Sequence, residues 1–323
     1  MRILITGAGG AAAVSIWKSL SAEHELHMAD IDPLAAGLYL VPPDHRIIIP
    51  RGDSPDLIPA LHLACKQRNI DALVPTVDVE LAPLAAVHDS FEAIGTALPI
   101  SPAECLRTCR DKQRLIEAVR GKVPIPESEP LTAAIAASID TFPRFAKPRE
   151  GAGSRGIAKI DSRADLDKQP KDGSILLQEY LPGDEISVDV YVSRDGRVIA
   201  AVPRVRMKID SGIAIASRTV KAPELVEAAM RTAEIIGIRG TANIQFKRAA
   251  DGVFKLLEFN PRYPGTLPLT GAAGVDMPKL MAAELAGQTL PDGPLPYKEL
   301  MAVRYWTEHY LDPGEWVTLC RRP

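Results

Sequence analysis

Two strand-like segments joined by a turn constrain this chain more than any other feature. Asn243-Ile244-Gln245-Phe246-Lys247 alternates polar with apolar residues, and Lys255-Leu256-Leu257-Glu258-Phe259-Asn260-Pro261-Arg262 sets a carboxylate, a carboxamide and a guanidinium at alternate positions behind an apolar run. Ala249-Ala250-Asp251-Gly252 lies between them and suits a turn, so the segment is expected to be an antiparallel hairpin. The period of two then points Glu258, Asn260 and, with the chain still extended, Arg262 to one face, with Gln245 beside Glu258. Oxygen donors with one firm carboxylate suit Mg²⁺, with Mn²⁺ as the alternative, and Arg262 adds an anion site. An ordinary hairpin with a polar outer face shows the same alternation, and the segment by itself leaves both readings open.

The 323 residues give room for about two domains or three small lobes around a substantial core. A formal charge of −3 with 24% charged residues argues against a general polyanion binder, so nucleic acid is not an expected partner. No apolar run is long enough to span a bilayer, and Met1-Arg2-Ile3-Leu4-Ile5-Thr6-Gly7 leads straight into a strand and turn. The expectation is a cytoplasmic protein without a membrane partner. Cys105 and Cys109 stand four apart on an expected helix, which fits buried thiols on one face as well as a metal pair.

Strand-like and helix-like segments alternate through the first hundred residues: Ile3–Thr6, a helix to about Leu20, then Glu25–Asp30, Ile47–Ile49 and Ala72–Pro75. This order calls for a parallel α/β sheet. Gly7-Ala8-Gly9-Gly10 opens the first helix as a dinucleotide fingerprint does, but the final glycine of that pattern is missing. A nicotinamide site, a substrate-side turn and a purely structural turn all remain open there. The prolines of Val123-Pro124-Ile125-Pro126 mark a lobe boundary, and a second α/β lobe follows. In that lobe Phe142–Pro148 reads as a strand carrying Lys147, which feeds the loop Glu150-Gly151-Ala152-Gly153-Ser154-Arg155-Gly156-Ile157. Backbone amides among Gly151, Gly153 and Gly156 can approach a phosphate without Cβ obstruction, and Lys147 supplies a point charge beside them. Glu179 and Glu185 bracket a turn at a strand end, where one carboxylate can face an adenine edge and the other a ribose; both also fit solvated turn charges.

Taken together, Arg110-Asp111-Lys112, Ala146-Lys147-Pro148 with the glycine-rich loop, Gln178-Glu179-Tyr180-Leu181-Pro182-Gly183-Asp184-Glu185, Asn243-Ile244-Gln245-Phe246 and Glu258-Phe259-Asn260-Pro261-Arg262 resemble an ATP-grasp ligase of the carbamoyl phosphate synthetase large-subunit type. The resemblance implies an α/β ATP-grasp fold with an N-terminal Rossmann-like pre-ATP-grasp domain, divided at 1–108, 109–183 and 184–323. It implies that Lys112 and Lys147 contact the phosphates of ATP under a lid of Gly151, Gly153, Ser154, Arg155 and Gly156. Glu179 with the backbone near Tyr180 and Leu181 would read adenine, and Glu185 the ribose. Gln245, Glu258 and Asn260 would hold Mg²⁺, and Arg262 with Lys147 would act on the transferring phosphoryl group. Many members of the wider superfamily carry glutamate at the position of Gln245; the synthetase-like members use glutamine.

The expected activity is that of an ATP-dependent carboxylate-amine ligase, which forms an amide through an acyl phosphate from a small carboxylate and an amine, an amino acid foremost. Two rivals stand beside it: a nucleotide-binding regulator without turnover, and an NAD(P)-dependent oxidoreductase built on Gly7–Gly10. Arg204, Arg206 and Lys208 also alternate, which would set all three on one strand face to receive the acid, or guard a solvated edge strand.

Overall fold

The computed structural model describes residues 1–151, 156–210 and 213–314, and the strands named among them fall into three sheets. In the first, β1 (Arg2–Thr6), β2 (Glu25–Asp30), β3 (Arg46–Ile48) and β4 (Ala72–Val74) run parallel in the order β3-β2-β1-β4. Strand order reverses between β1 and β4, and a crevice opens outside the carboxyl ends of strands at such a point. Gly7 and Thr76, which follow those two strands, stand there. Gly7 adopts φ +68°, and a Cβ on it would lie 2.6 Å from Thr76 Oγ1, so the turn after β1 requires glycine.

The second sheet joins β5 (Ser128–Thr132), β6 (Arg144–Pro148), β7 (Ala158–Ile160) and β8 (Asp172–Glu179), antiparallel in the order β5-β8-β6-β7. It buries its own small core around Leu131, Ala146, Leu166 and Leu177. The third joins β9 (Glu185–Val192), β10 (Val198–Asp210), β11 (Ile213–Thr219), β12 (Gly240–Arg248), β13 (Phe254–Asn260) and β14 (Met301–Val303) in the order β13-β12-β9-β10-β11-β14. The helix Pro223–Ile236 covers one face of it, its Leu225, Ala229 and Ala233 packing with Val188 and Val190. Cys105 and Cys109 are buried in that same core from the helix Ala103–Arg110, as thiols filling a helix face would be.

The first and third sheets share a core. The helix Ala11–Leu20 sends Ile16 and Leu20 into the same apolar cluster as Tyr191, Tyr263, Met277 and Met281. Small residues permit the approach: Gly265 passes so near the helix that a Cβ there would lie 3.1 Å from that of Ala11. No helix among the described residues is long and apolar enough to cross a membrane.

Candidate nucleotide and metal site

The hairpin forms as its alternation predicts. β12 and β13 pair antiparallel with Gln245 opposite Glu258 and Asn243 opposite Asn260. Directly opposed residues share a face at Cβ separations of roughly 4.5–5.5 Å, close enough for both side-chain oxygens to reach one ion. One carboxylate and two carboxamides give a hard-oxygen donor set that fits Mg²⁺.

Two lysines converge on this pair from the second sheet's side. Lys112 opens the helix Lys112–Val119, whose cap is Asp111: its carboxylate accepts from the amides of Gln113 and Arg114 at 2.9 and 3.4 Å and holds Arg149 at 2.5 Å. So anchored, Lys112 Nζ stands 4.0 Å from Glu258 Oε1 and donates to the carbonyl of Gly151 at 3.0 Å. Lys147, on β6, is buried and donates to the carbonyl of Leu257 at 3.0 Å. Burial pushes its ammonium down to about 7, with Glu258 opposing the shift and Lys112 adding to it. An anion entering here would restore its charge.

Lys112, Lys147, Tyr180, Leu181, Glu185 and Glu258 line a cleft of about 150 Å³ between the second and third sheets. Pockets that take a ligand of drug size hold roughly 300–1,000 Å³, so the cleft as it stands is smaller than a nucleotide site. Glu179 also lines this cleft, but Lys255 holds its carboxylate at 2.6 and 2.9 Å and the Glu127 amide donates to it at 3.3 Å. Its charge is balanced, which suits a neutral ring better than a free carboxylate would. Glu185 accepts from Arg206 at 2.8 Å. Gly151 lines the cleft and Gly156 adopts φ +69°, while the expected lid residues Gly153, Ser154 and Arg155 lie outside the described residues.

A second cleft of about 540 Å³ opens between the first and third sheets. Gly7, Gly9 and Asp30 line one side; Arg206, Asn260 and Arg262 line the other. The glycine turn thus faces the same space as the arginines, in the manner of a substrate-side turn, and Asp30 caps the Gly9 amide at 2.8 Å. Arg262 crosses this cleft to Asp78 at 2.7 Å. Gln245 lines both clefts.

The expected row of three cations needs correction. Arg204 is buried and its fork is filled by Asp189 at 2.9 and 3.0 Å. A bulge at Met207 breaks the alternation: Arg206 stands opposite Ser217 and Lys208 opposite Ala216, its neighbour, so Lys208 turns to the other face and is exposed. Arg204 and Arg206 line the second cleft, and Lys208 does not.

Asp189 was missed. It is fully buried in β9 and also accepts from Asn243 Nδ2 at 2.8 Å and Thr270 Oγ1 at 2.6 Å. With its amide nitrogen so engaged, Asn243 turns Oδ1 toward Gln245 Nε2, 3.5 Å away, and Gln245 keeps its own oxygen for the open cleft. A carboxylate inside the apolar run Ile186-Ser187-Val188-Asp189-Val190 was the available signal, since such a group must find a partner.

A lysine-lined cleft between two antiparallel sheets, beside a parallel N-terminal sheet, is the arrangement of an ATP-grasp fold, and known proteins share it. Residues 171–309 match the family described as ATP-grasp in the biosynthetic pathway with Ter operon, and residues 3–99 match the PylC-like N-terminal domain. The chain has the ATP-grasp fold, with a PylC-like domain matched at its N-terminus. Its fold is similar to that of a biotin carboxylase in complex with β-γ-ATP from Campylobacter jejuni, at TM-score 0.73 and 19% identity over 90% of this chain and 72% of that one. The biotin carboxylase domain of a 2-oxoglutarate carboxylase from Hydrogenobacter thermophilus, in complex with MgADP, ADP and bicarbonate, gives 0.71 at 18% over 90% and 71%. N5-carboxyaminoimidazole synthetase from Staphylococcus aureus, complexed with ADP, gives 0.70 at 16% over 93% and 81%.

Proposed function

We propose that the protein is an ATP- and Mg²⁺-dependent ligase that joins a small carboxylate, an amino acid foremost, to an amine. The observation that carries this reading is the place of Gln245: it stands where the lysine-lined cleft meets the arginine-lined one, so a phosphoryl group held in the first can reach an acceptor held in the second. The acceptor carboxylate attacks the γ-phosphorus, the bond to the β-phosphate oxygen breaks, and ADP leaves an acyl phosphate. The amine then attacks the acyl carbon, phosphate departs, and a proton is lost from nitrogen.

Lys112 and Lys147 hold the phosphates, with adenine against Tyr180 and Leu181 and the ribose toward Glu185. Mg²⁺, held by Gln245, Glu258 and Asn260, would neutralise charge on the phosphates when bound. Arg262 exchanges Asp78 for the developing phosphoryl and acyl-phosphate oxygens, an electrostatic role with no covalent enzyme intermediate. Outward and inward movement of the second sheet on its separate core admits nucleotide and then excludes water.

Screening pairs of amino acids and amines for ADP release, with product mass to follow, tests the reading. It expects ADP in step with amide for at least one pair. ATP binding without ADP release from any acid would favour the regulator, and a thermal shift with NAD(H) but not ATP would favour the oxidoreductase.

A further inference from the structure

A second group of metal-ligating side chains lies at the far end of β2 from the cleft residue Asp30. Strand alternation sets Glu25 and His27 on one face of β2. Met28 pairs with Arg46 across the parallel strands, which brings the preceding residues, His27 and His45, side by side. Their rings stack with centroids 4.1 Å apart and planes 25° from parallel. Both Nε2 atoms face the same carboxylate oxygen, Glu25 Oε1, at 3.2 Å from His27 and 3.8 Å from His45. Arg2 lies 3.5 Å from the other oxygen, Oε2, and leaves Oε1 to the rings.

His45 Nδ1 lies 3.1 Å from the carbonyl of Leu26, and a carbonyl only accepts, so that nitrogen carries a proton. With Nδ1 engaged by the carbonyl, Nε2 is the His45 nitrogen left to face the carboxylate, which the Nε2 of His27 also meets at hydrogen-bond distance. A backbone carbonyl on the remote nitrogen is also the contact that orients metal-bound histidines. His27 is buried, and its Nδ1 has no partner.

We propose that His27, His45 and Glu25 bind a divalent transition-metal ion, zinc by this donor set, with Asp44 as fourth ligand. Asp44 is exposed and free to turn, and its Oδ2 already lies 3.8 Å from His45 Nε2. Zinc–ligand bonds of about 2.0–2.1 Å in a tetrahedron set ligand atoms about 3.3 Å apart, close to the separations of 3.2 and 3.8 Å; the His45 ring must also turn out of its stack on His27 so that the two in-plane lone pairs meet at one ion. The ion would clip β3, an edge strand of three residues, to β2. Its chemistry is separate from the oxygen-only hairpin site.

The test uses the untagged full chain, stripped with a chelator and titrated with Zn²⁺ in saturating Mg²⁺, with bound zinc counted by mass spectrometry and Co²⁺ absorption reporting geometry. The expected result is one equivalent of zinc, a tetrahedral Co²⁺ spectrum and a raised Tm. His45→Ala and the exposed Glu25→Gln should each lower zinc affinity at least about tenfold, while His88→Ala, in the other His and carboxylate cluster among the described residues, leaves it unchanged. Absence of stoichiometric zinc, or unaltered affinity in a folded Glu25→Gln protein, overturns the proposal.

Discussion

Arg262 is tied to Asp78 across the second cleft, so any anion it stabilises must first displace a carboxylate. In the proposed reaction its work therefore falls late, on charge that develops during phosphoryl transfer. Arg262→Ala is expected to lower kcat by roughly 10²–10³ with little change in ATP affinity, the usual size for losing one such donor. Near-normal kcat at saturating substrate would leave the residue as a tie between domains. Glu80 offers a pH test in the first domain. Burial pushes its carboxyl up from 4.5 to about 7, although Thr6 donates to it. Between those values the folded protein keeps a proton that the unfolded chain has lost, so the Glu80 contribution to stability falls as pH rises through that window and is constant outside it. The whole loss is roughly 3 kcal/mol. Urea unfolding at pH 4.5 and 7 in the native and Glu80→Gln proteins should show it as a difference between the two slopes; equal slopes would assign the pH dependence to other groups. Glu258, Gln245 and Asn260 were legible in the sequence because a period of two places them without knowledge of the rest of the fold. Asp189 was not, since its partners Arg204, Asn243 and Thr270 come from three separate segments that only the finished sheet assembles.

Among the elements, the second sheet stands apart through the poverty of its core. Leu131, Ala146, Leu166 and Leu177 are its own, whereas the other sheets bury far larger clusters. A unit with few buried contacts opens at lower free energy. Amide exchange should therefore be faster in β5–β8 than in β1 or β9, and ATP with Mg²⁺ should slow it chiefly in β6 and β8, which carry Lys147 and Glu179. Equal protection in all three sheets, unaltered by nucleotide, would contradict a gripping role. The strands bearing single motifs were readable: Lys147 ends an apolar run, and the hairpin announces itself by its turn. β10 was legible as a strand but the face of Lys208 was not, because the sequence alternates straight through Met207 and a bulge there is set by the partner strand's register rather than by local pattern.

For the whole molecule, the decisive arrangement is that the first sheet shares a core with the third, while the second keeps its own small core and meets the third through polar contacts such as Lys147 to the Leu257 carbonyl and Lys255 to Glu179. Ile16, Tyr263 and Met281 share one core, and Ser19 donates to Asp276 at 2.6 Å across the same junction. In the proposed reaction the second cleft is the rigid acceptor site, and the first the one that opens. The alternating strands and helices of the first hundred residues made the parallel sheet legible. The order of the third sheet was not, since β9 lies between β12 and β10 by long-range pairing that no local pattern encodes. The central claim is that the acid becomes an acyl phosphate at the junction of the two clefts. Supplying an acid labelled with ¹⁸O in its carboxylate, together with ATP, Mg²⁺ and the amine, tests it by mass analysis of the released phosphate. The account expects one labelled oxygen in phosphate for each amide formed. Amide accompanied by unlabelled phosphate, or by AMP and pyrophosphate, would contradict it.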